Sequence, residues 1–153
     1  MNDHETFIRQ AIALSESAVA HGNHPFGAVL VKDGKVLLGA ENNIFTGKDP
    51  TGHAETNLVR LAGASYDEAF LADCILYTST EPCPMCSAAI YWSGIRTVVY
   101  ACGADALGTI GDVGFTLRSR DLYSKASHQV TVIGPVLEDE AMQVHRAYWP
   151  GAH

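Results

Sequence analysis

The sequence contains no unbroken apolar run approaching the roughly 18 residues that cross a bilayer, so no membrane-spanning helix is expected. Its start, Met1-Asn2-Asp3-His4-Glu5, has neither the basic stretch nor the apolar stretch of a secretory signal, and the expected location is cytoplasmic. Positive charge is scarce. Ten Lys and Arg stand against seventeen Asp and Glu, a formal charge of -7, whereas proteins that grip a phosphate backbone gain affinity from a basic surface. Long nucleic acid is therefore disfavoured as a partner, although a local basic patch stays open. Internal repeats, linkers and low-complexity tracts are also lacking, and 153 residues with 47% hydrophobic content predict one domain spanning 1–153. Cysteine is sparse at four residues. Two of them, Cys83 and Cys86, have Cys-x-x-Cys spacing, which points to metal or redox chemistry rather than a disulfide framework.

Hydrophobic periodicity places the elements. Residues 3–21, with Phe7, Ile8, Ala11, Ile12, Ala18 and Val19 at helical spacing and Asn2 and Glu5 as a capping pair, read as an amphipathic helix. Runs 26–31 and 36–40 flank Asp33-Gly34, a hairpin signal. A polar loop over 43–52 leads to a helix over 54–61 that stops near Gly63. Residues 75–78 read as a strand, and Pro82 suits the first turn of a helix that runs through Trp92 to Gly94. Strands are expected at 97–100 and 130–133, and a last helix at 139–148. Between 102 and 128 periodicity is poor apart from a short helix over 117–123, and this stretch reads as a long functional connection. Strands alternating with helices after an initial hairpin argue for a mixed sheet with helices on both faces.

Two motifs carry the chemistry: His53-Ala54-Glu55, and Pro82-Cys83-Pro84-Met85-Cys86 thirty positions on (83 minus 53). Both open predicted helices, where the positive helix end stabilises thiolate, and cysteines at i and i+3 share a face. Two sulfurs and one imidazole suit zinc but fill three of its four positions, whereas structural sites normally close with four protein ligands. A water in the fourth position would become acidic enough to yield hydroxide near neutral pH, and Glu55 is the neighbouring group able to take and return protons. Residues i and i+2 of a helix face opposite ways. His53 and Glu55 can therefore share one site only if the N-termini of the two helices meet there.

These motifs resemble the H-x-E and P-C-x-x-C signature of zinc nucleobase deaminases. From about Pro25 to Tyr100 the chain is similar to the cytidine-deaminase-like superfamily, in particular the branch holding bacterial guanine deaminases and tRNA adenosine deaminases. The likeness rests on Pro25-Phe26-Gly27-Ala28-Val29, Asn42, Asp49-Pro50-Thr51, the two motifs, Glu81 and Ala89-Ile90. It implies an α/β fold, a three-layer α/β/α sandwich around a mixed five-stranded sheet. It also implies one Zn2+ per subunit and a homodimer or larger homo-oligomer. By position Asn42 corresponds to the family's base-binding amide, and the backbone N–H of Cys83 or Ala54 could bond the substrate or the oxygen on the metal.

Phe26, Asn42-Asn43 and Trp92 look more like guanine deaminases than the tRNA enzymes, and the acidic charge leans the same way. Phe26 and Trp92 are carried over as aromatic walls, since base stacking contributes about 1–3 kcal/mol per contact. Asp112, in a segment that matches only loosely, is carried over as an acceptor for a ring N–H. Such enzymes place an aromatic C-terminal segment near a partner's site, a role open here to Trp149 or His153. The expected substrate is a free 2-amino-oxo base, guanine or isocytosine; tRNA adenosine, cytosine or a nucleoside are the alternatives, and a zinc-stabilised scaffold is the reading without catalysis. Cys74 and Cys102 are expected as core residues, Glu81 as a supporting group and His24 as a loop residue near the pocket.

Overall fold

In the computed structural model, which describes residues 3–111 and 113–151, helix α1 (Asp3–Ala20) leads into strands β1 (Gly27–Lys32) and β2 (Lys35–Glu41). Their turn is made by Asp33 and Gly34, with φ of 51° and 75°, the left-handed pair that Asp-Gly adopts at least cost. There follow α2 (Ala54–Ser65), α3 (Glu68–Ala72), β3 (Ile75–Thr80), α4 (Pro84–Ser93) and β4 (Thr97–Cys102). The chain continues through α5 (Ala104–Gly108), α6 (Ser119–Tyr123), β5 (Thr131–Ile133) and α7 (Glu138–Tyr148).

The strands form one mixed sheet in the order β2-β1-β3-β4-β5. β1 runs antiparallel to both neighbours, while β3, β4 and β5 are parallel, with Leu76 opposite Val98 and Val98 opposite Val132. Alternation of side chains along each strand divides the core in two. Leu30, Leu76 and Val98 pack beneath Leu58 of α2 and Ile90 of α4. Val29, Tyr77 and Val99 face the other way, against Ile8 and Ile12 of α1 and Met142 of α7. The result is the expected three-layer α/β/α arrangement, and each fully buried aliphatic side chain contributes about 1.5–3 kcal/mol. Cys74 lies in the first core and Cys102 in the second. Close packing of α1 on β1 depends on Gly27, where a Cβ would overlap the Ala11 carbonyl oxygen and lie 2.6 Å from Leu14 Cβ.

The structure departs from the sequence reading in four places, one of them α2, which runs through Gly63 to Ser65 instead of stopping near that glycine. Helix α4 starts at Pro84 rather than Pro82, because a residue preceding proline is driven out of the helical region; Cys83 therefore stays extended (φ -64°, ψ 170°) as the N-cap. Helices α3 and α5, five residues each, are too short to show periodicity. Strands β3 and β4 run two residues beyond the expected ends, carrying the chain to the carboxyl edge of the sheet, where open α/β folds bind ligands.

Candidate active site

His53 and Cys83 are both N-cap residues with extended backbones, His53 of α2 (φ -80°, ψ 150°) and Cys83 of α4. Extended caps swing both side chains beyond the helix ends, the condition the sequence set for a shared site. Cys86 lies one turn into α4. His53 Nδ1 is 3.5 Å from Cys83 Sγ and 3.5 Å from Cys86 Sγ, and all three donor atoms lie within 4.8 Å of one another. Tetrahedral zinc, with bonds of about 2.3 Å to sulfur and 2.0–2.1 Å to nitrogen, sets such atoms about 3.6 Å apart. The three side chains thus fit a zinc ion in chemistry and in spacing.

The electrostatics favour the ligand form at Cys83, whereas Cys86 and His53 are shifted toward protonated forms whose protons zinc binding would displace. A hydrogen bond from Cys86 and another from His53 hold Cys83 down to about 4, so it is a thiolate at neutral pH. The same bond, with burial, pushes Cys86 up. His53 is raised, chiefly by its hydrogen bond to Cys83. The Thr56 hydroxyl lies 3.2 Å from Cys86 Sγ, placed to donate to it once it is a thiolate. Glu55, in the first turn of α2, is 4% exposed; burial, and then the charge on Cys83, push its carboxyl up to about 7. A carboxyl poised near the working pH can both take and give a proton.

Glu55, His53 and Cys83 open onto a cavity of about 260 Å³ walled by Phe26, Thr80 and Leu107 and overhung by residues 113–117. Glu81 anchors the overhanging segment. Its Oε1 accepts the Ala104 N–H (2.8 Å), and its Oε2 accepts the Ser119 N–H (2.8 Å) and hydroxyl (2.6 Å). Glu81 is thus the supporting group expected of it. Behind the lining residues Thr80 and Phe26, α7 brings His145: its Nε2 lies 2.8 Å from Thr80 Oγ1, and its ring centroid is 5.3 Å from that of Phe26. The end of α7 also covers His24, whose Nδ1 is 2.8 Å from the Tyr148 hydroxyl. Burial, and secondarily the charge on His53, lower the pKa of His24.

The remaining expected contacts divide. Phe26 lines the cavity. Ala54 is the first residue of α2, where a backbone N–H has no partner within the helix. Asn42 is buried, but it is absent from the cavity wall, and its Oδ1 accepts the Ile44 N–H at 3.1 Å in a local turn. Trp92 is not brought to the site. It sits nine residues beyond Cys83, roughly 13 Å along a helix, 79% exposed at the far end of α4. Asp112 and His153 lie outside the described residues. Thr56, Thr80 and His145 were missed. Thr80 shares the odd-even register of β3 with Thr78, but nothing in the sequence joins it to a histidine 65 positions away.

A family model described as the cytidine and deoxycytidylate deaminase zinc-binding region matches residues 1–102. The chain belongs to this deaminase family. Its members are zinc-dependent hydrolytic enzymes, and zinc is the metal. A probable cytosine deaminase from Schizosaccharomyces pombe is 40% identical over 151 residues, 95% of this chain and 91% of the relative. A guanine deaminase from Bacillus subtilis is 49% identical over 100 residues, 65% of this chain and 64% of the relative. A tRNA-specific adenosine deaminase from Haemophilus influenzae is 36% identical over 140 residues, 91% of this chain and 79% of the relative. Among solved structures, the guanine deaminase from Nitrosomonas europaea superposes with a TM-score of 0.81 at 28% identity, over 94% of this chain and 83% of that one. In this deaminase no described helix is long and apolar enough to cross a membrane.

Proposed function

We propose that this deaminase hydrolyses the exocyclic amine of a free 2-amino-oxo base, guanine or isocytosine, releasing ammonia. One observation carries the reading: the cavity holding Glu55 beside His53 and Cys83 measures about 260 Å³. That is below the range of about 300–1,000 Å³ that houses drug-sized ligands, and it suits one base without its sugar. The formal charge of -7 also argues against a tRNA backbone as the thing recognised. Guanine deaminases among the relatives and the solved structures support the same choice.

In this reading His53, Cys83 and Cys86 hold the zinc, which when bound supplies a Lewis acid that makes water a nucleophile near neutral pH. Glu55 accepts a proton from the attacking water and passes it to a ring nitrogen. It then takes the remaining proton from the hydroxyl added to the ring carbon and delivers it to the departing amine, so that the C–N bond breaks as the carbonyl forms and both water protons are accounted for. Its burial excludes bulk water, so each proton in turn stays on the carboxyl until it is delivered. The Ala54 or Cys83 backbone N–H, at the start of its helix, offers a donor to charge that develops on oxygen. Phe26 stacks on the base and Leu107 closes the opposite side. Asn42 and Asp112 are proposed as polar contacts to the base. Trp92, exposed on α4 as Leu61 is on α2, suits a contact between copies in a homodimer or larger assembly.

A second reading has a specific support. The fission-yeast relative spans nearly the whole chain, which favours cytosine as the base. Ammonia release from guanine, isocytosine, cytosine, adenine, their nucleosides and tRNA separates the readings. Turnover of guanine or isocytosine is expected; release from tRNA or nucleosides alone removes the free-base proposal.

A further inference from the structure

The cavity wall at the end of β3 is backed by a hydrogen-bond chain with a fixed direction. Trp149 Nε1 lies 3.0 Å from His145 Nδ1, and an indole N–H can only donate. Nδ1 of His145 is therefore the acceptor and carries no proton, which puts the imidazole proton on Nε2. That N–H donates to Thr80 Oγ1 at 2.8 Å. With its oxygen occupied as an acceptor, the Thr80 hydroxyl keeps its own proton to give, and no acceptor among the described residues takes it. Thr80 shares the cavity wall with Glu55 and Phe26. The imidazole cannot readily turn to break the chain: His145 is fully enclosed and Phe26 meets it at 63°, edge to face. Burial also lowers its pKa to about 4, which keeps the ring neutral.

We propose that Trp149 and His145 act as positioning residues that orient the Thr80 hydroxyl as a donor into the cavity, where it bonds an oxo group of the substrate. The hydroxyl then selects amino bases that carry an oxo group over those that lack one. This inference rests on the free-base reading above and deepens it. A fixed donor discriminates because an oxo group satisfies it, whereas a ring C–H at the same place leaves the hydroxyl unpaired.

The test compares matched bases: guanine with 2-aminopurine, isocytosine with 2-aminopyrimidine, and cytosine with 4-aminopyrimidine. Binding is measured by calorimetry on zinc-loaded protein carrying Glu55→Gln, and KM and kcat on the active parent. Thr80→Val is expected to weaken binding of the oxo base about tenfold while its partner without the oxo group stays within about twofold. Thr80→Ser restores the preference. Trp149→Phe keeps the ring but frees Nδ1 to take the proton, so part of the same selective loss follows. In nitrogen-15 NMR spectra the His145 Nδ1 of the parent reads as unprotonated and changes in that variant. Equal weakening of both members of a pair, an unchanged preference, or a protonated Nδ1 in the parent overturns the proposal. Ammonia release that leaves the preference insensitive to Thr80→Val removes this inference alone. A parent that releases no ammonia from any base removes the free-base reading, and if it binds none of them this inference falls with it.

Discussion

Replacing Glu55 by Gln separates proton transfer from everything else the site does. The two side chains match in volume, and Glu55 is 4% exposed, so the substitution leaves the surrounding packing filled and admits no new solvent. What it removes is a carboxyl that burial has tuned to about 7. General acid–base assistance contributes typically about 10²–10⁴ per group, and here one group serves both the attack and the departure of the amine. No exposed carboxylate or buffer can reach the buried position to replace it. A fall in kcat of about 10⁴ is expected, with KM changed by less than about fivefold and one zinc retained per chain. Steady-state ammonia release and metal analysis on one preparation read all three. A variant that keeps more than a tenth of the parent activity while still holding zinc refutes the assignment. A variant that loses its zinc places the carboxylate among the metal's supports instead.

Three further outcomes follow from other parts of the molecule. Cys83→Ala leaves one sulfur and one imidazole, too few for tight zinc binding, so metal content after dialysis should fall below about a tenth of the parent value. Gly27→Ala drives a methyl into the α1 backbone, and chemical denaturation should show a loss of at least about 2 kcal/mol; an unchanged midpoint would mean α1 shifts freely on β1. His145 carries a pH dependence. Its pKa is about 4 when folded against 6.5 as a free imidazole, so the unfolded chain binds more protons between those values. Its contribution is constant above pH 6.5 and is lost as pH falls toward 4, to a total of about 3 kcal/mol. His145→Gln should flatten the profile over that window relative to the parent, and parallel profiles would show that the ring is not held neutral.

The sequence was legible where its signals are local. The hairpin followed from Asp33-Gly34, because that turn needs two left-handed residues and few pairs supply them. The metal trio followed because its ligands sit in two short motifs, His53-Ala54-Glu55 and Pro82-Cys83-Pro84-Met85-Cys86, that read as helix openings from their own neighbours. Even the error over where α4 begins came from choosing between two prolines in one short stretch, and the geometry that chose Pro84 is the one that frees Cys83 to bind. The short helices α3 and α5 escaped because five residues cannot display a 3.6-residue period. The α3 start nonetheless carries a capping aspartate, Asp67, which accepts the Phe70 N–H at 2.9 Å.

The cavity wall escaped for a different reason. Metal ligands advertise themselves by residue type, but a threonine, a histidine and a tryptophan acquire direction only through one another. From sequence, Trp149 was a candidate for the aromatic C-terminal segment near a partner's site, and nothing pointed to His145. Folding α7 against the end of β3 makes Nδ1 an acceptor, Nε2 a donor and the Thr80 oxygen a receiver. None of these roles is encoded within any window of sequence. The same logic explains why Trp92 misled: an aromatic residue following Ile90-Tyr91 matches by position in a pattern, yet helical rise alone carries it away from the metal. Substrate choice in this deaminase therefore depends on contacts assembled across the sheet. The reaction itself depends on two short motifs whose chemistry is fixed by spacing, so substitutions at the wall should change which base is accepted before they change whether a base is deaminated.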